Sequence, residues 1–406
     1  MRSFYRSLII LSITLLSGFS VAQKLNYGYW NATLKINDTL DLPFLMHTQL
    51  TDQELIFAVY NGEEEIRLAA PKVKGDSIEV SFKAFNTSLI FTISKSKKLC
   101  GYYFQPDRTR FKRIPFRATY AGKKSPVENY SSTYSVAGRW KTIFSPNEGG
   151  AYPAIGKFEQ NENNVVTGTF LTETGDYRFL KGYLSGKELT LSTFDGSHAF
   201  LFRAHLEGDS LKGMFFSGRH WSTNWIASRN ENYSLSDPDS ITYLVEDTFH
   251  FSFPTVKGTD YLFPNEELKG KVIIVQIIGT WCPNCLDETN FYKELYEKYH
   301  EQGLEIIGVA YEYPAGFDEQ AERVKRYASN KNIPYPILIG GQASKDEASK
   351  DFPMLNSISS FPTSVLINRK GEIVKIHTGF NGPGTDEVYQ QYVRETQTLL
   401  EKLLNE

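Results

Sequence analysis

Residues 271–278 read Lys-Val-Ile-Ile-Val-Gln-Ile-Ile, a nearly unbroken apolar, β-branched run. Such a run suits a strand buried on both faces of a central sheet, because half-exposed strands alternate instead. Gly279-Thr280-Trp281 interrupt it, and beyond them Phe291, Tyr292, Leu295, Tyr296 and Tyr299 recur at helical spacing. A buried strand therefore hands over to a helix, and the handover carries Cys282-Pro283-Asn284-Cys285. The first N–H groups of a helix are unpaired and the dipole is positive there, so a thiolate is favoured. Cys282 comes first and is expected to be the exposed nucleophile. Cys285 lies one turn in and is expected to be the more buried, resolving thiol. Two cysteines so spaced can close a small-ring disulfide that opens readily. Pro283 fits because first-turn N–H groups lack an intrahelical partner anyway.

Composition supports redox work over scaffolding. The 406 residues include only three cysteines, Cys100, Cys282 and Cys285. An exported chain stapled by disulfides would carry more. The N-terminus reads as an export signal: Arg2 and Arg6, then an apolar run from Leu8 to Leu16, then Ser20-Val21-Ala22. Cleavage after Ala22 is expected, which makes the mature protein periplasmic or otherwise exported. The apolar run is short for a bilayer, and no transmembrane span is expected in the mature chain. Net charge is −3, so a nucleic-acid partner is not expected. Cys100 is expected to be a small buried residue.

A single C-x-x-C offers a metal two ligands, and no second pair exists to complete a zinc site. His198 in Asp195-Gly196-Ser197-His198, with His205 and His220, lacks a ligand spacing. Neither a metal nor another cofactor is expected.

Residues 1–22 are thus the signal, and the remaining chain divides by pattern. Residues 24–120 and 135–230 read as short alternating strands separated by Gly, Asn and Asp turns. Residues 231–246 form a linker, and residues 247–406 alternate strand-like and helix-like segments as an α/β domain does. The two β blocks resemble each other. Trp30 aligns with Trp140, Pro43 with Pro153, Arg67 with Arg178, and Gly101 with Gly213, at an offset near 110. We read a duplicated antiparallel unit. It forms either separate small barrels or sandwiches, or two halves of one larger lipocalin-like barrel.

Gly279-Thr280-Trp281-Cys282-Pro283-Asn284-Cys285-Leu286-Asp287-Glu288 resembles the active-site segment of thioredoxin-like proteins, especially the TlpA-like exported disulfide reductases. Ser360-Phe361-Pro362-Thr363, followed by Ser364 to Ile367 and a turn at Asn368-Arg369-Lys370-Gly371, is a second match in the expected order. The resemblance implies a C-terminal thioredoxin fold over roughly residues 247–406. It implies that Pro362 is cis and faces Cys282 and Cys285. It implies that the backbone at Phe361, Pro362 and Thr363 receives the substrate, with Trp281 shielding one side. It also implies that Glu288 is a partly buried acid exchanging protons with Cys285. Burial would raise its pKa to a useful range, whereas Asp287 is expected to be solvated. Thioredoxins carry a buried Asp six residues before the first cysteine; Gln276 stands there instead, which moves the expected proton handling to Glu288.

The activity implied is thiol–disulfide exchange in the reducing direction. Its partners would be disulfide-bearing envelope proteins and a membrane electron donor that re-reduces the dithiol. An oxidase or isomerase is the alternative, as is a ligand- or partner-binding β module with an accessory thioredoxin-like domain.

Overall fold

The computed structural model describes residues 25–406 apart from 53 and 247. The signal segment and its cleavage point lie outside the described residues. The chain forms two compact units. One takes in the described residues through Val136 with Gln160–Thr167 and Phe179–Asn224. The other takes in Ala137–Glu159, Gly168–Arg178 and Trp225–Glu406.

The first sheet is antiparallel and open. Its order is Glu64–Arg67, Glu54–Asn61, Asp41–Thr51, Gly28–Lys35, Arg113–Gly122, Leu99–Phe104, Ser88–Ile93, Ser77–Ser81 and Lys72–Lys74. Alternation is plain in Gly28–Lys35, where Trp30, Ala32 and Leu34 point inward. The indole of Trp30 donates to Thr48 Oγ1 at 3.0 Å, so the buried N–H is paired.

The second β region closes. Tyr152–Gln160 pairs with Gly138–Phe144 on one side and Val165–Thr172 on the other, completing an eight-stranded barrel with Leu180–Ser185, Glu188–Phe194, Ala199–Glu207, Ser210–Ser217 and Trp221–Arg229. A two-residue strand, Gly175–Asp176, folds back onto Leu171 and Thr172. The antiparallel barrel expectation holds for the β blocks, with one block a closed barrel and the other an open half-barrel sheet. The edges explain the difference. The edge strands Glu64–Arg67 and Lys72–Lys74 are short and charged, with Glu64, Glu65, Arg67, Lys72 and Lys74 among their seven residues. Short charged strands end a sheet rather than closing it.

Cys100 corrects an expectation, for it is exposed. It lies opposite Arg117, between the inward Leu99 and the half-buried Gly101. The period of two in a strand sends it outward whatever its own preference for burial.

The C-terminal domain is a five-stranded sheet with helices. Its strands are β1 Val272–Ile278, β2 Leu304–Glu312, β3 Ile337–Gln342, β4 Thr363–Ile367 and β5 Ile373–Thr378, in the order β3-β2-β1-β4-β5. β1, β2 and β3 are parallel, while β4 runs against β1 and β5 against β4. All seven residues of β1 are buried, as its β-branched run requires. The helices are α1 Pro283–Tyr299, α2 Phe317–Lys331, α3 Lys345–Asp351 and α4 Glu387–Asn405. Phe291, Tyr292, Leu295 and Tyr299 of α1 share a core with Val272, Ile274, Ile306, Leu366 and, from α4, Leu400 and Leu403. This packing fixes α1 on the sheet with its N-terminus at the end of β1.

If charge keeps the open sheet from pairing further, Lys72→Val with Lys74→Val will raise the apparent mass in size-exclusion chromatography with light scattering. An elution identical to that of the unaltered protein would show that these charges do not guard the edge.

Candidate active site

β1 ends at Ile278, and three residues carry the chain across to α1. Cys282 is the N-cap of α1, and its Sγ accepts the backbone N–H of Cys285 at 3.2 Å. The sulfur thus sits on the unpaired amides of the helix start, where negative charge is favoured. It also faces the carbonyl of Phe361 at 3.5 Å. The Phe361–Pro362 bond is cis. The Pro362 carbonyl accepts the N–H of Gly379, and Thr363 Oγ1 donates to Ser360 O, both at 2.8 Å. The indole of Trp281 donates to Tyr311 O at 2.9 Å and meets the Phe361 ring edge-on. The turn itself hangs on a buried acid: Glu312 accepts both the N–H and the hydroxyl of Thr280 at 2.8 Å.

Both cysteines are free thiols, and the order of their burial follows their place in the helix. Cys285 is fully enclosed, and Cys282 is 7% exposed. The expectation of an exposed Cys282 is therefore corrected: the Phe361 carbonyl lies against the sulfur. Burial, and then the adjoining Cys282, push the thiol of Cys285 well above its ordinary value.

Beneath the cysteines lies a closed polar cluster. Gln276 donates to Glu288 Oε2 at 2.8 Å, and Ser364 donates to Glu288 Oε1 at 3.1 Å. Thr289 donates to Gln276 Oε1, and Tyr292 donates to Ser364 Oγ. Glu288 is wholly buried, and that burial raises its pKa to about 7 despite the hydrogen bonds opposing the shift. A carboxyl near 7, within the electrostatic reach of Cys285, can take and return a proton at neutral pH.

The second corrected residue is Asp287, which is not solvated. It is buried in an ion pair with Arg178, whose Nη1 also donates to Pro283 O at 3.1 Å. Asn284 Nδ2 donates to Asp176 O at 3.1 Å and to Phe380 O at 2.9 Å. The Gly168–Arg178 segment belongs to the same compact unit as the dithiol.

The fold thus places Trp281, Cys282, Cys285, Phe361, Pro362 and Thr363 around one sulfur pair, with Glu288 below it. Sequence reasoning missed Glu312, Asp176, Arg178 and Tyr292. Tyr292 looks like any core aromatic. Glu312 ends a strand 30 residues beyond Cys282, and Arg178 comes from the β region, so neither leaves a local spacing to read. Lys345, the first residue of α3, was missed as well; burial lowers its pKa, and the field of Cys282 opposes that. The histidines weighed for a metal find other partners, His198 with Asp195 and His205 with Glu188.

Comparison with known proteins converges on this region. Residues 245–393 match the Redoxin family. The chain is 36% identical over 113 residues to thiol-disulfide oxidoreductase ResA of Halalkalibacterium halodurans, a match covering 28% of this chain and 57% of that protein. ResA of Bacillus cereus is 33% identical over 110 residues, covering 27% and 56%. The chain spans little more than half the length of these curated relatives. Among solved structures, StoA from Bacillus subtilis is 25% identical with a TM-score of 0.26, covering 36% of this chain and 96% of that one. The C-terminal part of the chain is a Redoxin domain with a thioredoxin-like fold, and its relatives are ResA-like oxidoreductases.

Glu288 gives a stability test with a defined sign. Its folded pKa of about 7 lies above the ordinary 4.5, so folding disfavours the ionised form. The contribution is whole below about pH 4.5 and is lost as pH rises through about 7. Glu288→Gln keeps the shape and cannot ionise. Relative to this variant, the unaltered protein should lose roughly 3 kcal/mol between about pH 5 and about pH 8 or 9 in urea unfolding. Parallel pH curves for the two proteins would contradict a titrating, buried Glu288.

Proposed function

We propose that the chain is an exported thiol–disulfide reductase that works through Cys282 and Cys285. The observation that carries the reading is the placement of Cys282 Sγ. It caps α1 and faces the Phe361 carbonyl beside Pro362, with the resolving thiol one turn deeper. The similarity to ResA-like oxidoreductases supports it.

In the reductive cycle the Cys282 thiolate attacks one sulfur of a substrate disulfide. A Cys282–substrate bond forms, the substrate S–S bond breaks, and the departing sulfur takes a proton from solvent. Cys285 then gives its proton to Glu288 and attacks Cys282. The mixed disulfide breaks, the Cys282–Cys285 disulfide closes, and the second substrate sulfur leaves as a thiolate that takes a proton from solvent as Glu288 releases its own. Two electrons pass to the substrate, and a membrane-borne dithiol donor returns two to the enzyme. Backbone groups at Phe361, Pro362 and Thr363 would receive the substrate chain.

Export rests on the basic and apolar N-terminus ending at Ala22. We propose the order of signal 1–22, β regions 24–120 and 135–230, linker 231–246 and catalytic domain 247–406. A cavity of about 520 Å³ beside Tyr29, Tyr60, Tyr130 and Tyr183 supports a second role for the β region, small-molecule binding.

Cys282→Ser is expected to abolish reduction of a protein disulfide, and Cys285→Ala to accumulate a mixed disulfide through Cys282 that mass spectrometry detects. Full activity in Cys282→Ser would reject the mechanism. Glu288→Gln should slow the resolving step by about 10²-fold near neutral pH and remove its inflection near 7, read by stopped-flow. An unchanged profile would take Glu288 out of the cycle.

A further inference from the structure

The short turn that follows the barrel strand Val165–Thr172 meets three of the segments around the dithiol. Thr174 O accepts from Ser360 Oγ at 3.1 Å, immediately before Phe361 and Pro362. Asp176 O accepts from Asn284, inside the C-x-x-C, and Arg178 donates to the Pro283 carbonyl. Asp176 Oδ2 accepts the N–H of Gly382 at 2.5 Å, in the loop after β5. The same carboxylate holds the N–H of Arg178, which fixes the turn internally. Arg178 closes the set through its buried pair with Asp287.

The approach is too close for side chains on either surface. A Cβ on Gly379 would stand 2.4 Å from the carbonyl carbon of Thr174, and one on Gly175 would stand 2.7 Å from Asn284 Nδ2. Both glycines also have positive φ, at 77° and 131°. The chain's own backbone thus occupies one bank of the rim, and Phe361, whose carbonyl faces the Cys282 sulfur, packs against Trp281. Cys282 is left 7% exposed. A nucleophile must reach a disulfide sulfur closely and in line, so whatever narrows the rim selects by the bulk around the target bond.

We propose that the turn Glu173–Arg178 is a built-in wall of the substrate groove that limits the dithiol to disulfides carried on an extended chain and turns away those on folded surfaces. This rests on the reductase reading of the same site. Asp176 and Arg178 act as positioning and specificity residues, since they hold the wall and touch no reacting atom. Steric exclusion of this kind works against the wrong partner without adding affinity for the right one.

The test uses full-length reduced protein in a Cys100→Ser background, because Cys100 is exposed. Maleimide is presented to Cys282 on an unstructured peptide and on a small folded domain. The peptide-borne reagent should react at least about tenfold faster. Asp176→Ala, and separately Arg178→Met with Asp287→Asn, should shrink that ratio severalfold. The paired change removes both charges, so that neither is left buried alone. Asp176→Glu, which keeps both acceptor oxygens of the carboxylate, should retain more of the ratio than Asp176→Ala. Circular dichroism and thermal melting identify variants that fold. Equal rates for the two reagents in the parent protein would overturn the wall, whatever the variants do. An unchanged ratio in a folded Asp176→Ala or paired variant would overturn it too. Failure to reduce even 2-hydroxyethyl disulfide would reject the reductase reading alone, because the maleimide comparison measures access without any exchange reaction.

Discussion

The hydrogen bond from Gln276 to Glu288 sets the position of everything around the dithiol. β1 is buried along its whole length, and Gln276 is its one polar side chain. A buried amide must find partners, and Gln276 finds them in Glu288 and Thr289 on successive residues of α1. Two bonds from one strand residue to one helix turn fix both the height and the rotation of α1. Cys285 and Cys282 lie about one and two turns nearer its start, so their places follow. The cost is a carboxyl held in the core, offset by the hydrogen bond from Ser364 on β4 and expressed as a raised pKa. The group that registers the helix thereby carries a pKa raised to about 7.

Around that anchor the site is assembled from distant stretches of chain. Glu312 at the end of β2 holds Thr280, Ser364 of β4 reaches Glu288, and the barrel turn brings Asp176 and Arg178. Each of these contacts pairs a polar group that burial would otherwise strand. The buried ion pair between Arg178 and Asp287 is costly to form and costly to break from one side. Such a pair ties the turn to α1 with more geometric definition than apolar contact would, because the guanidinium is planar and its donors are fixed.

The two β regions differ in closure. Trp30 and Trp140 are both fully enclosed, each in the first strand of its region. Yet Tyr152–Gln160 finds Val165–Thr172 and the barrel closes, while the charged strands Glu64–Arg67 and Lys72–Lys74 leave the other sheet open. Alternation along a strand is a local property, and closure depends on whether two ends meet.

The same distinction runs through the site. Hydrophobic period, helix start and cysteine spacing are local, so the strand, the turn and the helix carrying Cys282 and Cys285 were legible before any fold was known. The resemblance added Pro362 and Glu288, since a motif can mark a residue whose contacts lie far away. Exposure was misjudged at Cys100, Cys282 and Asp287, because burial depends on which remote segment arrives to cover a residue. The amino-acid order by itself determined that a buried strand would deliver two thiols to a helix N-terminus. Only the tertiary structure decided that Gln276 would register that helix through Glu288, and that Thr174, Asp176 and Arg178 would border the dithiol. Those pairings span from 12 to more than 200 residues, and no local preference encodes them.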